Sequence, residues 1–219
     1  DRSTAIRREC QFLVSKRWEG KAAEFYRAEI RSPSATVAAI AVVGLAETGE
    51  RVDATAISEL LTSRSARVRR AVVRALRILS VEGTEPALLR LVSSDVPSVV
   101  REAAFTLLSA RGIAASSVWS EAERNADRRV LLVVLRLMRR AGKWQQLRMY
   151  LEAAGSEAPS LAEFAVAALA SWLRRYNSTF VQPSGDDASA SLALIAQIQD
   201  RLPSGLAGEL KFILETIAR

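Results

Sequence analysis

Apolar and small residues return along this chain every 31 positions. Val37, Val68, Val99 and Val130 share one register, which extends back to Ile6 and on to Leu161. Four residues further along it stand Cys10, Ala41, Val72, Ala103, Val134 and Ala165; eight along stand Val14, Leu45, Leu76, Leu107, Met138 and Leu169. The chain is 49% apolar, so chance would fill about half of these places, and all are filled by small or apolar groups. Offsets 0, +4 and +8 fall on one side of a helix that turns every 3.6 residues. Offset +7 adds Leu13, Gly44, Ala75, Thr106, Leu137 and Ala168 to that side, small enough in most copies for a neighbouring helix to approach closely. A second helix follows later in each copy, marked by Tyr26, Ile57, Leu88, Trp119 and Tyr150 and, one turn later, by Ile30, Leu61, Val92 and Ala154. Trp119 and Tyr150 are read as packing between helices.

The punctuation agrees with this division. Ser32-Pro33-Ser34, Ser63 to Ser65, Ser94-Asp95-Val96-Pro97 and Asn125-Ala126-Asp127 separate the copies with capping and turn residues. Gly49, Gly83, Gly112 and Gly142 fall near where each first helix should stop. No stretch alternates long enough to be a strand. The expected fold is all-α, with antiparallel helix pairs stacked in a row, each hiding its apolar face against the next. The positions 37, 68, 99, 130 and 161 are predicted to be buried in equivalent places.

Two segments carry a resemblance. Residues 66–76, Ala-Arg-Val-Arg-Arg-Ala-Val-Val-Arg-Ala-Leu, and 94–107, Ser-Asp-Val-Pro-Ser-Val-Val-Arg-Glu-Ala-Ala-Phe-Thr-Leu, resemble HEAT repeats, in particular the short HEAT-like type first associated with phycobilisome lyases. Glu85 to Val92 supplies the second helix of that pattern, Asp95 its acid, and Arg69 its arginine; Arg101 is displaced by one place, and Ser34 and Ser65 stand near the other starts. The match covers 64–110 best and stays in register over 34–63 and 127–154. The resemblance implies a right-handed α-solenoid, a HEAT/armadillo-like superhelix, in which the helices bearing the Val-Arg motif line the concave side. Repeats are expected over 1–175, starting near 3, 34, 65, 96, 127 and 158. After residue 175 the register stops. A loop is expected over 176–187, with Phe180 and Val181 tucked onto the last repeat and Asp186-Asp187 capping the helix that follows. Helices near 188–201 and 204–218 then close the stack as a cap of the same domain.

Chemistry is sparse. The chain has no His and one Cys among 219 residues, which excludes His-based triads, His metal sites and an internal disulfide. No phosphate loop, Gly-x-Ser-x-Gly elbow or Cys-x-x-Cys motif occurs. Cys10 falls in the core register and reads as an inert thiol. Asn177-Ser178-Thr179 is a glycosylation sequon by pattern alone. No cofactor or metal is expected. The longest aliphatic run, Val130 to Leu135, is far short of a membrane span, and the free thiol makes the cytoplasm the default compartment.

Charge adds the functional clue. The net charge is +7, and it is concentrated: residues 64–155 hold 17 bases and 8 acids, with no acid between Glu59 and Glu82. Offsets +2, +6 and +9 lie opposite or beside the core stripe. They read Ala39, Val43, Ala46; Arg70, Arg74, Arg77; Arg101, Phe105, Leu108; Leu132, Arg136, Arg139; and Glu163, Ala167, Ala170. Three copies therefore carry arginines interleaved with apolar groups, extended by Arg64, Arg67 and Arg69, a mixture suited to a contact surface. The expected function is a non-catalytic protein-interaction scaffold whose arginines take an acidic or amphipathic partner segment. The alternative is a nucleic-acid-binding solenoid using the same arginines on phosphates. A third reading, a HEAT-like DNA glycosylase, rests on Trp119 and Glu123 one helical turn apart.

Overall fold

A computed structural model describes residues 9, 12, 13, 16, 21–110, 113–175 and 181–217. The chain is all-α, with no β-strand among the described residues. They pack as two compact units, one within 1–107 and 125–127, the other within 108–124 and 128–219. The first contains α1 (Lys21–Glu29), α2 (Ala35–Thr48), α3 (Asp53–Glu59, continued by a 3-10 turn, Leu60–Thr62), α4 (Ala66–Leu79), α5 (Glu85–Ser94) and α6 (Pro97–Ser109) up to Leu107. The second contains α7 (Ala115–Glu123), α8 (Arg129–Leu137, continued by Met138–Arg140), α9 (Lys143–Ala154), α10 (Pro159–Arg174), α11 (Gly185–Ile198, continued by Gln199–Arg201) and α12 (Ser204–Ile217).

In the first unit α2 lies between α1 and α4 and also touches α3. Its sequence is apolar on every side, as a helix covered by neighbours all round must be. Gly44 shows why small residues were needed at offset +7: a methyl group built there would meet the Tyr26 ring at 2.5 Å from Cζ, so the α1 aromatic rests directly on the α2 backbone. On α4, by contrast, one side is apolar and the other is basic. The helix ends at Leu79 because Ser80 turns into the left-handed region (φ 51°). The Val81 N–H then donates to the Leu76 carbonyl at 3.2 Å, which satisfies a terminal acceptor as in a Schellman motif.

The junctions between repeats are pinned by polar groups. Arg69 is turned inward from α4; it donates from Nη1 to the Ser63 carbonyl at 2.6 Å and from Nε and Nη2 to the two oxygens of Asp95. Asn125 donates from Nδ2 to the carbonyls of Val92 (2.9 Å) and Asp95 (3.0 Å), and its Oδ1 accepts from the Asp127 N–H. Asp95 and Asn125 are both buried, so these bonds satisfy groups that water cannot reach. Further back, Arg27 on α1 pairs with both oxygens of Asp53, which also accepts from the Glu50 N–H at 2.9 Å.

In the second unit α9 is the hub, packing on α7, α8, α10 and α11, while α12 covers α11. Trp144 and Trp172 meet edge to face with centroids 5.6 Å apart. Their indole N–H groups donate to the carbonyls of Val181 (2.8 Å) and Lys143 (2.9 Å), as buried indoles require. Arg201, in the turn that continues α11, donates to the Gly155 carbonyl at 2.7 Å and so caps the end of α9.

At offsets 0, +4 and +8 the repeat register holds at every described position but one, and at offset +7 Leu13 is exposed. Val68, Val99, Val130 and Leu161 are buried, as are all described members of offsets +4 and +8. Val37 is the exception, 39% exposed: it stands in the first turn of α2, next to exposed Thr36, where the burial of that helix begins one residue later at Ala38. Ala39, Val43 and Ala46, expected opposite or beside the core stripe, are buried instead, because α2 has neighbours on more than one side. The helix near the C-terminus starts at Gly185, earlier than expected, and its cap is Ser184, whose Oγ accepts from the Asp187 N–H at 3.1 Å. Asp186 and Asp187 sit in the first turn, where a carboxylate faces the positive end of the helix. Val181 has an exposed side chain and is held through its carbonyl. Ile6, Cys10, Val14, Gly112 and residues 176–180 lie outside the described residues.

Two substitutions test this packing. Gly44→Ala is expected to destabilise the chain by about 1–3 kcal/mol, since the added methyl overlaps an aromatic ring; an unchanged denaturant midpoint would contradict the close approach. Asp95→Ala removes the partner of a largely buried guanidinium and is expected to cost about 3–5 kcal/mol, read from the same unfolding curves.

Candidate interaction surface

Seen down its axis, α4 sorts its five arginines by direction. Arg67, Arg70, Arg74 and Arg77 follow one another at spacings of three, four and three, so they form one row. Arg67, Arg70 and Arg77 are exposed and Arg74 half-buried. Arg69 points elsewhere and is consumed by Asp95 and Ser63; it does not extend the row, contrary to the sequence-based expectation. Ile78, which that expectation passed over, belongs to the same exposed arc at 39% exposure. Its signal was present: an apolar residue one step beyond Arg77 and outside the core offsets.

The row continues onto α6. The Arg77 guanidinium lies over the Phe105 ring, 4.9 Å from its centroid, and also reaches Glu102 at 3.4 Å. A planar cation on a ring face keeps its edge N–H groups available for an anion. Arg101 is exposed on the same helix and Phe105 is half-buried. Arg67 donates to the Thr36 hydroxyl on α2. Arg70, Arg74 and Arg101 make no hydrogen bond or ion pair with any described residue.

The second unit holds its own set. Arg136 and Arg139 are exposed, Leu132 is half-buried, and Arg136 stacks over Phe164 on α10 at 5.7 Å. Arg77 and Phe105 are separated along the chain by the same interval as Arg136 and Phe164, so the same step from one first helix to the next recurs in each unit. Leu108, expected to be exposed, is buried at 8%. It follows Leu107 at the end of α6, and both consecutive leucines are covered.

The residues of the glycosylase reading are also placed. Trp119 is 3% exposed and its Nε1–H donates to Glu123 at 3.0 Å. With its ring covered by protein, Trp119 has no face to offer a nucleotide. Glu152 on α9 is pushed above the usual carboxylate range by burial, an effect that the Arg148 Nε–H at 3.1 Å opposes and the charge of Glu123 reinforces. No group of His, Cys, Asp and Glu suited to a metal ion occurs among the described residues, and no described helix is long and apolar enough to cross a membrane.

Residues 24–109 match the family model of HEAT repeats. Over that region the chain is built of HEAT-like repeats. The matched region runs from α1 through α6, the part that holds the arginine row and the Arg69–Asp95 junction. HEAT repeats are commonly protein-interaction scaffolds and the family is generally non-catalytic. No curated protein matches the chain.

Glu152 gives the chain a pH signature. Its folded pKa is raised, so the stability tied to its protonation is present below the unfolded value, about 4.3, and is lost as the pH rises through the folded one. Glu152→Gln is therefore expected to raise the thermal midpoint at neutral pH and to leave it unchanged at about pH 3.5. An equal gain at both pH values would refute burial as the cause.

Proposed function

We propose that the chain is a non-catalytic scaffold that binds an acidic segment of a partner protein on the exposed arginines of its first helices. The observation that carries this reading is the state of Arg70, Arg74 and Arg101: three guanidiniums on neighbouring copies, with no partner among the described residues, beside Arg77 held over Phe105. Each can form charge-assisted bonds with a carboxylate, worth about 1.5–3 kcal/mol before desolvation. Ile78 and the half-buried Phe105 supply apolar contact between the charges, which suits an amphipathic acidic segment. Arg136 and Arg139, with Leu132 and the Phe164 ring, offer the second unit the same chemistry.

A labelled oligoglutamate peptide in a salt series, with a generic DNA duplex alongside, tests the proposal. The native chain is expected to bind the peptide and the duplex only weakly. Arg70→Glu/Arg74→Glu should weaken peptide binding about 100-fold, from two lost charge-assisted contacts, with stability changed by no more than about 0.5 kcal/mol. Arg136→Glu/Arg139→Glu reads the second set separately. Full binding by a well-folded Arg70→Glu/Arg74→Glu variant would move the first unit's site elsewhere. Tight, steeply salt-dependent duplex binding would instead favour nucleic acid as the partner.

A further inference from the structure

An open cleft of about 430 Å³ lies in the first unit, between the turn that follows α1 and the turn that precedes α4. Ile30, Ala38 and Val68 give it apolar walls, and all three side chains are buried. Arg31 and Arg64 stand on its rim, both exposed. Arg31 is engaged by Glu59. Arg64 makes no hydrogen bond or ion pair with any described residue.

The repeat register explains why the cleft is there. At the next junction, Arg69 reaches the Ser63 carbonyl and the Asp95 carboxylate. One repeat earlier, the residues in the places of Arg69, Ser63 and Asp95 are Ala38, Ser32 and Arg64. All three line the cleft. The guanidinium that bolts the later junction is thus replaced by a methyl group, which leaves a hollow. The carboxylate that received it is replaced by a cation, which reverses the polarity. The chain itself supplies no acid to this hollow among the described residues that line it.

We infer that the cleft seats an acidic side chain of the partner segment, together with an apolar neighbour, as an anchor distinct from the arginine row; the inference rests on the scaffold reading above. Arg64 offers paired N–H donors to the carboxylate, and the walls of Ile30, Ala38 and Val68 take the apolar group out of water. The occupant is a peptide segment because the cleft reaches the first turn of α4 at Ser65 and Val68, where Arg67 begins the exposed row. An acidic chain lying along that row passes the mouth of the cleft.

Two labelled peptides test it: plain oligoglutamate, and the same peptide with one central leucine. The native chain is expected to prefer the leucine-bearing peptide roughly tenfold, the effect of burying one such side chain. Ala38→Arg/Arg64→Asp rebuilds the bolt of the next junction and fills the cleft; it should bring the preference close to one while still binding plain oligoglutamate through the row. Arg64→Glu, a change at an exposed position, should abolish the preference as well and serves if the double variant does not fold. Equal binding of both peptides by the native chain, or a preference that survives in the folded variants, overturns the anchor and leaves the row reading intact. Failure of the native chain to bind either peptide overturns the acidic-partner reading and the anchor with it.

Discussion

A helix pair with an apolar side has nowhere to hide it except against the next pair. That constraint organises the described residues of this chain. Val68, Val72 and Leu76 on α4, and Val130, Val134 and Met138 along α8 and its 3-10 turn, are the same three places seen in different copies, and all are buried. Because the demand is identical in each copy, the solution repeats at a constant interval along the chain. Small side chains follow from the same demand: the approach of Tyr26 to the α2 backbone at Gly44 leaves no room for even one added carbon, and the Ala-rich sides of α2 serve neighbours on several sides at once.

Apolar stacking has no direction of its own, and the polar junctions supply it. Arg69, Asp95 and Asn125 link the ends of successive repeats through bonds that only one relative placement satisfies. These groups lie away from solvent, where leaving one unpaired is expensive. The chain therefore uses its many arginines for two unlike purposes. One that can reach a buried carboxylate becomes part of the frame. On the outward arc of the same helix Arg70 and Arg74 have no partner among the described residues, and the scaffold reading rests on that contrast within a single helix, α4.

Departures from the repeat are as informative as the repeat. Where Arg69 and Asp95 give way to Ala38 and Arg64, structure is exchanged for an open, positively charged hollow. At the same junction the +4 and +8 positions are kept: Ala41, Leu45, Val72 and Leu76 remain buried, and Val37 beside Ala38 is open. On the scaffold reading, stability and recognition are drawn from different offsets of one register, so that one can vary while the other is held.

Periodicity alone determined the helix pairs, their order, the core offsets and the arginine-bearing arc, because each depends only on which residues share one side of a helix. Tertiary structure decided what happens at the borders of that side. Val37 is open because α2 is covered only from Ala38 onward, whereas Ala39, Val43 and Ala46 are closed because α2 has neighbours all round. Leu108 is covered and Ile78 is not, although both are apolar residues outside the core offsets. The role of Arg69 was beyond the sequence for a similar reason: its carboxylate belongs to Asp95, at the far end of the following helix, and only the folded turn brings it within reach. A helical repeat fixes direction around one axis, but burial and pairing depend on distances between axes, and those exist only once the copies have packed.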